Sequence, residues 1–134
     1  ISYLLKKFKM DKILLVEDDH NLGLMICDLL ELNGYEVSLL RLPDKTVKNL
    51  MEDKFDLILM DKLLSGMDGT DICFKIRNTD TISHTPILMM SALNGAKKNC
   101  IEAGATSFID KPFEIKDLLA CVKDTISKTS HLNN

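Results

Sequence analysis

Tryptophan is absent from the sequence, proline occurs only three times, and the four cysteines form no C-x-x-C pair. Zinc sites and disulfide frameworks in short chains use cysteines at close, regular spacings, so neither is expected here. Reduced thiols in a cytosolic protein are the simpler interpretation of the four, which are Cys27, Cys73, Cys100 and Cys121.

The sequence also lacks a long apolar run and a strong charge of either sign. No run approaches the ~20 apolar residues that a membrane span needs. The net charge of −3 gives no basic field that would attract nucleic acid or anionic lipid. We therefore expect a cytoplasmic protein that does not contact the membrane and does not bind nucleic acid directly.

The length of 134 residues suits one compact domain and leaves no room for a second of ordinary size. We assign residues 11–128 to the folded domain. Residues 1–10 are interpreted as an N-terminal extension or a cloning remnant, since Met10 resembles a natural start. Residues 129–134 are polar and predict a C-terminal tail or the start of a linker.

Five short apolar runs alternate with five helical patterns, which is the rhythm of an α/β protein. The third run shows almost no polar–apolar alternation, as expected of a strand covered on both faces. The sequence therefore predicts a single (βα)5 unit, a doubly wound parallel sheet with helices on both faces. The predicted strands are Ile13–Val16, Glu36–Leu40, Leu57–Met60, Ile87–Met90 and Ser107–Ile109.

Smaller features of the pattern predict helix ends and core positions. Gly34 and Gly104 are predicted to end the first and fourth helices, and Asn94 to cap the start of the fourth. Five methionines within strand or helix patterns are predicted to fill the core, namely Met25, Met51, Met60, Met89 and Met90.

Polar residues follow the predicted strands, at the edge where parallel strands end together. Ligands of open parallel sheets bind at this edge, beside the point where the strand order reverses. If the first and third strands are neighbours, their terminal carboxylates lie within a few ångströms of one another. The residues in question are Glu17 and Asp18 after the first strand, then Asp61, Ser91 and Lys111 after the third, fourth and fifth.

Carboxylates this close repel one another unless a cation lies between them. Oxygen ligands at a partly hydrated site favour Mg²⁺. Asp61 can then act as a nucleophile toward a phosphoryl group, because the metal neutralises the incoming oxygens. Ser91 would supply a hydrogen-bonding hydroxyl and Lys111 a positive charge.

Four segments resemble the signature blocks of response-regulator receiver domains, in the order and at the spacing of that family. The resemblance extends from about Asp11 to Lys128, which is nearly the whole chain. The segments are ILLVEDD at 13–19, DLILMD at 56–61, PILMMS at 86–91 and FIDKPF at 108–113.

The resemblance implies a flavodoxin-like fold with the strand order 2-1-3-4-5 and a Mg²⁺-dependent phosphoacceptor site. Asp61 would accept the phosphoryl group and Lys111 would bind it. The metal ligands would be Glu17, Asp18, Asp61 and the backbone carbonyl of Leu63.

The resemblance also implies a conformational switch. Ser91 would be the switch hydroxyl and Phe108 the rotating aromatic residue, and the Lys111–Pro112 bond is cis in similar proteins. A histidine kinase or phosphotransfer protein would donate the phosphoryl group. The surface made by the fourth helix, fifth strand and fifth helix would then change and signal to an output domain or protein, with a homodimer through that surface as one arrangement. Such a domain is not an enzyme; at most it catalyses its own phosphorylation and dephosphorylation.

The chain departs from the family pattern at two places. Similar receivers carry proline and glycine after the phosphoacceptor strand, where this chain has Ser65-Gly66. Loss of the proline leaves that loop less restricted and bears on phosphorylation kinetics. Thr106-Ser107 precede Phe108 where receivers joined to winged-helix domains often have an acidic pair, and this weakens the case for the associated dimer interface.

Three other functions are weighed against this one. An aspartyl-phosphate hydrolase of the haloacid dehalogenase type needs a second Asp two positions after the nucleophile, where this chain has Leu63. A flavodoxin-like or dinucleotide-binding module needs a phosphate-binding loop after the first strand, and no G-x-G-x-x-G is found there. A receiver that serves only for docking is disfavoured by the complete acid set.

Overall fold

The structure of the protein is a computed structural model that describes residues 9–132. Five strands form the main sheet: β1 Lys12–Val16, β2 Glu36–Leu40, β3 Leu57–Asp61, β4 Ile87–Ser91 and β5 Ser107–Asp110. Five α-helices follow them in alternation: α1 His20–Leu32, α2 Thr46–Glu52, α3 Gly69–Arg77, α4 Ala96–Glu102 and α5 Ile115–Leu132. A small hairpin of Leu63–Leu64 and Met67–Asp68 lies between β3 and α3.

The strands pair in the order β2-β1-β3-β4-β5, and every pair in this sheet is parallel. This confirms the predicted α/β sheet and its order. The chain leaves β1 toward β2 and then crosses back to β3, so the strand order reverses between β1 and β3. The carboxyl ends of these two strands therefore flank the crevice where such sheets bind ligands.

Each face of the sheet packs against its own set of helices. Side chains alternate between the faces along each strand, so Leu14 and Ile58 join α2, α3 and α4 in one core while Leu15 and Leu59 join α1 and α5 in the other. With both faces covered, β3 and β4 are buried along their whole length. The two cores hold the strand ends rigidly, which is what a site assembled from several strand ends requires.

The methionine prediction holds for the strands and is wrong for the helices. Met60, Met89 and Met90 are fully buried, whereas Met25 and Met51 are 55% and 59% exposed. A strand between two helix layers has no solvent face, but a surface helix buries only one stripe of its residues.

The predicted helix ends are right at glycine and wrong at Asn94. Gly34 and Gly104 take positive φ angles after α1 and α4, as expected of helix-ending residues. At the start of α4 the capping position is Gly95, in the left-handed conformation and without a side-chain cap.

The domain limits of 11 and 128 stay predictions. Helix α5 continues to Leu132, past the position where the polar tail was expected to begin. Most of the predicted extension 1–10 lies outside the described residues, as do positions 133 and 134.

Candidate functional site

Glu17 lies directly after β1 and is almost completely buried, with 2% of its surface exposed. Its Oε1 accepts a hydrogen bond from the Asp19 backbone N–H at 3.1 Å, while its Oε2 is buried and has no hydrogen-bond partner. Burial disfavours the charged form and raises the pKa of Glu17 to about 7, and the neighbouring Asp61 acts in the same direction. A buried carboxylate oxygen without a hydrogen bond is a position where a cation or a donor can bind.

Asp61 ends β3 and is also buried, at 7% exposure. Its Oδ1 accepts a hydrogen bond from the Leu63 N–H at 2.9 Å, and its Oδ2 is in direct contact with the Lys111 ammonium. Lys111 Nζ lies 3.7 Å from Glu17 Oε2 as well. The ammonium therefore links the two buried carboxylates of neighbouring strands.

Lys111 is held at this position by its own backbone, because its N–H donates to the Ser91 carbonyl at 2.9 Å. The bond between Lys111 and Pro112 is cis, as the resemblance implied.

Asp18 lies at the rim of the same crevice and faces the loop after β3. Its Oδ2 accepts a hydrogen bond from the Ser65 N–H at 2.7 Å. Hydrogen bonds from the Ser65 side chain and backbone lower the pKa of Asp18. Asp18 is therefore charged at neutral pH, beside a Glu17 that is only partly ionised.

Ser91 and Phe108 lie on the other side of Lys111. Ser91 is 1% exposed, and its Oγ accepts a hydrogen bond from the Leu93 N–H at 3.1 Å. Phe108 is half-buried opposite Met89 in the β4–β5 register and packs against the core formed with α2, α3 and α4. Both residues are thus near the crevice, one fixed by the loop after β4 and one by the core.

The acids at this edge form a set of oxygen donors of the kind that binds a divalent ion. Within residues 9–132, no three Asp, Glu, His or Cys side chains are arranged as a finished metal cluster. Instead, Lys111 neutralises Glu17 and Asp61, and Asp18 is turned to Ser65. The free oxygen of Glu17 and the all-oxygen chemistry of the three acids nevertheless suit a hard ion such as Mg²⁺.

The start of α3 lies against the back of Asp61. A Cβ placed on Gly69 would lie 2.4 Å from the Asp61 carbonyl oxygen and 2.9 Å from Met89 Cε. Contacts this short leave no room for a side chain, so only glycine allows α3 to approach β3 so closely.

Sequence reasoning brought together the acids, Ser91 and Lys111, but it missed two charged residues beside them. Lys62 is buried at 9% exposure, and its ammonium is 3.0 Å from Asp68 Oδ2. Asp68 also caps α3 through the Thr70 N–H. Asp68-Gly69 before a helical pattern is a capping signal that could have indicated Asp68, whereas nothing in the sequence indicates that Lys62 is buried.

A parallel sheet with acids and a lysine at its carboxyl edge defines a class of phosphoacceptor-like α/β domains, and comparison with known proteins narrows the class. Residues 13–123 match the response regulator receiver domain family. The chain belongs to this family.

Relatives of known name carry the same domain. The chain is 33% identical over 126 residues to the response regulator ArlR of Staphylococcus saprophyticus, covering 92% of this chain and 56% of that protein. It is 32% identical over 124 residues to the transcriptional regulatory protein CpxR of Escherichia coli, covering 91% and 51%. The chain thus spans about half the length of the curated relatives it matches.

Solved structures share the fold over almost their whole length. The chemotaxis response regulator CheY4 of Vibrio cholerae superposes with a TM-score of 0.81 at 27% identity, covering 87% of this chain and 99% of that one. The receiver domain of the sensor histidine kinase PA1611 from Pseudomonas aeruginosa has a TM-score of 0.81 at 30% identity, covering 89% and 99%, and holds a magnesium ion in its active-site cleft. Among the described helices of the present chain, none has the length and apolar character needed to cross a bilayer.

Proposed function

We propose that this domain is a phosphoacceptor that takes a phosphoryl group on Asp61 from a histidine kinase or phosphotransfer protein, with Mg²⁺ bound. The observation that carries the proposal is the burial of Asp61 and Glu17 on either side of the Lys111 ammonium, with Glu17 Oε2 left without a hydrogen bond. A carboxylate so placed is largely shielded from water, with 10% of its side chain exposed. Family membership supports the same function.

Mg²⁺ would be held by Glu17, Asp18, Asp61 and the carbonyl of Leu63. When bound, the ion neutralises the negative oxygens of the phosphoryl group and of the acids. The fit rests on the donor chemistry and on the buried Glu17 oxygen that has no partner. The relative that holds magnesium in its cleft supports this assignment by analogy.

The transfer itself is a displacement at phosphorus. A carboxylate oxygen of Asp61 attacks the phosphorus atom of the donor phosphohistidine. The bond from phosphorus to the imidazole nitrogen breaks, and that nitrogen keeps the electron pair. Lys111 already contacts Asp61 and would remain paired with the transferred group, while the Leu63 N–H fixes the other Asp61 oxygen.

Phosphorylation would then act on the α4-β5-α5 surface. A new acceptor oxygen on Asp61 would be a partner for the Ser91 hydroxyl proton, and movement of Ser91 toward it would break the hydrogen bond that Ser91 Oγ now accepts from the Leu93 N–H in the loop before α4. Movement of Ser91 toward the site would free space for Phe108 and shift that loop. A free-energy difference of about a few kcal/mol between the two packing arrangements is enough for such a switch.

The domain is a signalling component of a two-component system, and its output lies with another domain or protein. A cytoplasmic location, a downstream output partner and a homodimer through α4-β5-α5 belong to the proposal. The names of relatives such as CpxR describe transcriptional regulators about twice as long as this chain, which supports an output module outside it. Catalysis by the domain is limited to its own phosphorylation and dephosphorylation.

Incubation with Mg²⁺ and a small phosphodonor, followed by intact-protein mass spectrometry, tests the proposal. The wild type should gain one phosphoryl group, and the Asp61→Asn variant should gain none. Asp80→Asn, which changes an exposed aspartate in the turn after α3, is the matched control and should label as the wild type does. Equal labelling of the Asp61→Asn variant, or labelling that survives a chelator, would overturn the assignment.

A further inference from the structure

Lys62 follows the phosphoacceptor directly and is tied to the protein at three points. Its N–H donates to the Met90 carbonyl at 2.9 Å, and its carbonyl accepts from the Gly69 N–H at 2.7 Å. Its ammonium lies 3.0 Å from Asp68 Oδ2. A lysine that is only 9% exposed loses most of its hydration, so this ion pair is not an ordinary surface contact.

Asp68 uses both carboxylate oxygens. Oδ2 accepts from Lys62, while Oδ1 accepts from the Thr70 N–H at 2.9 Å and from the Thr70 hydroxyl at 2.8 Å. Asp68 therefore joins the end of β3 to the first turn of α3. We call the Lys62–Asp68 ion pair, with the loop of residues 63–67 that it closes, the β3–α3 clasp.

The loop inside the clasp contacts two of the acids of the site. The Leu63 N–H donates to Asp61 Oδ1 at 2.9 Å, and the Ser65 N–H donates to Asp18 Oδ2 at 2.7 Å. The Leu63 carbonyl belongs to the same loop. The orientation of Asp61 and Asp18 therefore depends on where this loop is held.

The hairpin pairing of Leu63 with Asp68 and of Leu64 with Met67 constrains the loop in part, and its turn at residues 65 and 66 is the less restricted part. Ser65 stands where similar receivers have proline, and Gly66 has a φ of +73°. Proline at position 65 would lack the N–H that Ser65 donates to Asp18. The ion pair between the buried Lys62 and Asp68, whose side chain is 40% exposed, adds a constraint at the two ends of the loop.

We propose that Lys62 is a positioning residue for the phosphoacceptor site: through the β3–α3 clasp it holds the loop that orients Asp61 and Asp18 for Mg²⁺ and phosphoryl transfer. This inference rests on the proposed function for its chemistry, although the clasp itself is a property of the metal-free protein. The alternative is that the pair contributes only to global stability.

Two variants and one control separate these roles. Lys62→Met keeps an unbranched chain of similar size without the charge, and Asp68→Asn removes the charge while keeping a good helix cap. Lys12→Met removes the lysine of another Lys–Asp pair, with Asp53 at the opposite edge of the sheet. All are made in the 134-residue chain and compared at a temperature where each is folded.

The first readout is the Mg²⁺ dissociation constant, measured by isothermal titration calorimetry with the metal alone. We expect it to rise about 3- to 10-fold in Lys62→Met and in Asp68→Asn, less than for loss of a group that contacts a metal ligand directly. Lys12→Met should stay within about twofold of the wild type. The double variant should be no worse than either single one, since both remove the same pair.

The second readout needs no metal. Amide hydrogen exchange of Leu63 and Ser65, followed by NMR, should be several-fold faster in Lys62→Met and Asp68→Asn and unchanged in Lys12→Met. If Lys62→Met does not fold, the Asp68→Asn variant alone tests whether the clasp orients the loop. Wild-type exchange and wild-type Mg²⁺ affinity in a folded variant would overturn the clasp. A wild type that takes up no Mg²⁺ would overturn the proposed function instead, while the exchange comparison would still decide on the clasp.

Discussion

The two edges of the sheet both carry charged residues, yet only one of them is built like a reactive site. At the amino edge, the carboxylate of Asp56 accepts from the Lys12 N–H at 2.7 Å, and Lys12 pairs with an Asp53 side chain that is 55% exposed. At the carboxyl edge, Lys111 pairs with an Asp61 side chain that is only 10% exposed. The amino edge pairs its charges with backbone groups and in an exposed ion pair, whereas the carboxyl edge buries them against each other.

The size of a cavity does not identify the functional edge. An open cavity of about 660 Å³ lies at the amino edge, beside residues that precede β1, β3 and β4, among them Asp11, Phe55 and Pro86. What marks the carboxyl edge is chemical: a buried carboxylate oxygen without a partner and a glutamate whose pKa is raised to about 7. Perturbed and incompletely paired groups are the better guide to function here.

Removal of the lysine at each edge should give the largest contrast. Lys111→Met should slow labelling of Asp61 by a small phosphodonor about 100-fold, because it removes the charge that stabilises the transferring group. Lys12→Met should leave the rate within about twofold, since its partner Asp53 is far from the site. Rates come from time courses by intact-protein mass spectrometry. A similar decrease of the labelling rate in both variants would mean that the rate depends on overall stability and not on the position of the lysine at the carboxyl edge.

Two glycines test how closely the site is packed. Gly69→Ala should destabilise the domain by about 2–3 kcal/mol, because its Cβ would lie 2.4 Å from a backbone oxygen that cannot move without displacing Asp61. Gly23→Ala in α1 should change stability by less than about 1 kcal/mol, since its Cβ would meet the tip of the flexible Leu39 side chain at 3.0 Å and Glu17 Cγ at an ordinary 3.6 Å, and alanine favours the helix. Urea unfolding measures both, and a small effect at Gly69 would contradict the close approach.

The buried Glu17 makes stability depend on pH in the metal-free protein. Its pKa in the folded state is about 7 instead of 4.5, so the folded state holds a proton that the unfolded state releases between these values. Stability therefore falls as pH rises from about 4.5 to 7 and levels off above, by about 3 kcal/mol in all. Glu17→Gln should reduce this pH dependence of the free energy of unfolding, measured with urea between about pH 5 and 8.

Mg²⁺ should reverse the dependence, because the ion requires ionised Glu17. Its stabilisation of the wild type should be larger at about pH 8 than at about pH 6. A pH slope that is the same with and without Glu17 would assign the titration to another group.

The sequence predicted the sheet and the acids at its edge, because the local pattern of apolar and polar residues indicates which strands are buried and where they end. Continuous apolar runs identify strands with two covered faces, and Glu17, Asp61 and Lys111 each follow such a run. The solvent-facing residues of the helices were harder to predict, since Met25 and Met51 were expected in the core and are exposed. An apolar residue within a helical pattern faces the core or the solvent according to a rotation that only the tertiary contacts fix.

Lys62 could not have been found from the sequence for a related reason. A lysine directly after Asp61 would ordinarily be assigned to the surface. Its burial depends on Asp68, six positions away, and on the hairpin that brings the two together. Pairings of this kind are decided by loop geometry, which composition and periodicity do not contain.

A second unpartnered buried atom tests whether such atoms always mark function, and the expected effect is small. Ser107 Oγ is buried without a hydrogen-bond partner near the amino end of β5, where it carries no charge. Ser107→Ala should be neutral or stabilise the domain by up to about 1 kcal/mol, because it removes a desolvated hydroxyl that makes no bond. The neighbouring Thr106→Ala should instead cost about 1–2 kcal/mol, since the Thr106 hydroxyl accepts from the Ile87 N–H and from Arg77 Nη2. Thermal or urea unfolding of the two variants checks this, and a clear loss of stability in Ser107→Ala would reveal a partner for that hydroxyl. A buried neutral hydroxyl without a hydrogen bond then lowers stability and has no functional role. A buried carboxylate oxygen without a hydrogen bond, beside Lys111 and Asp61, can instead bind a cation.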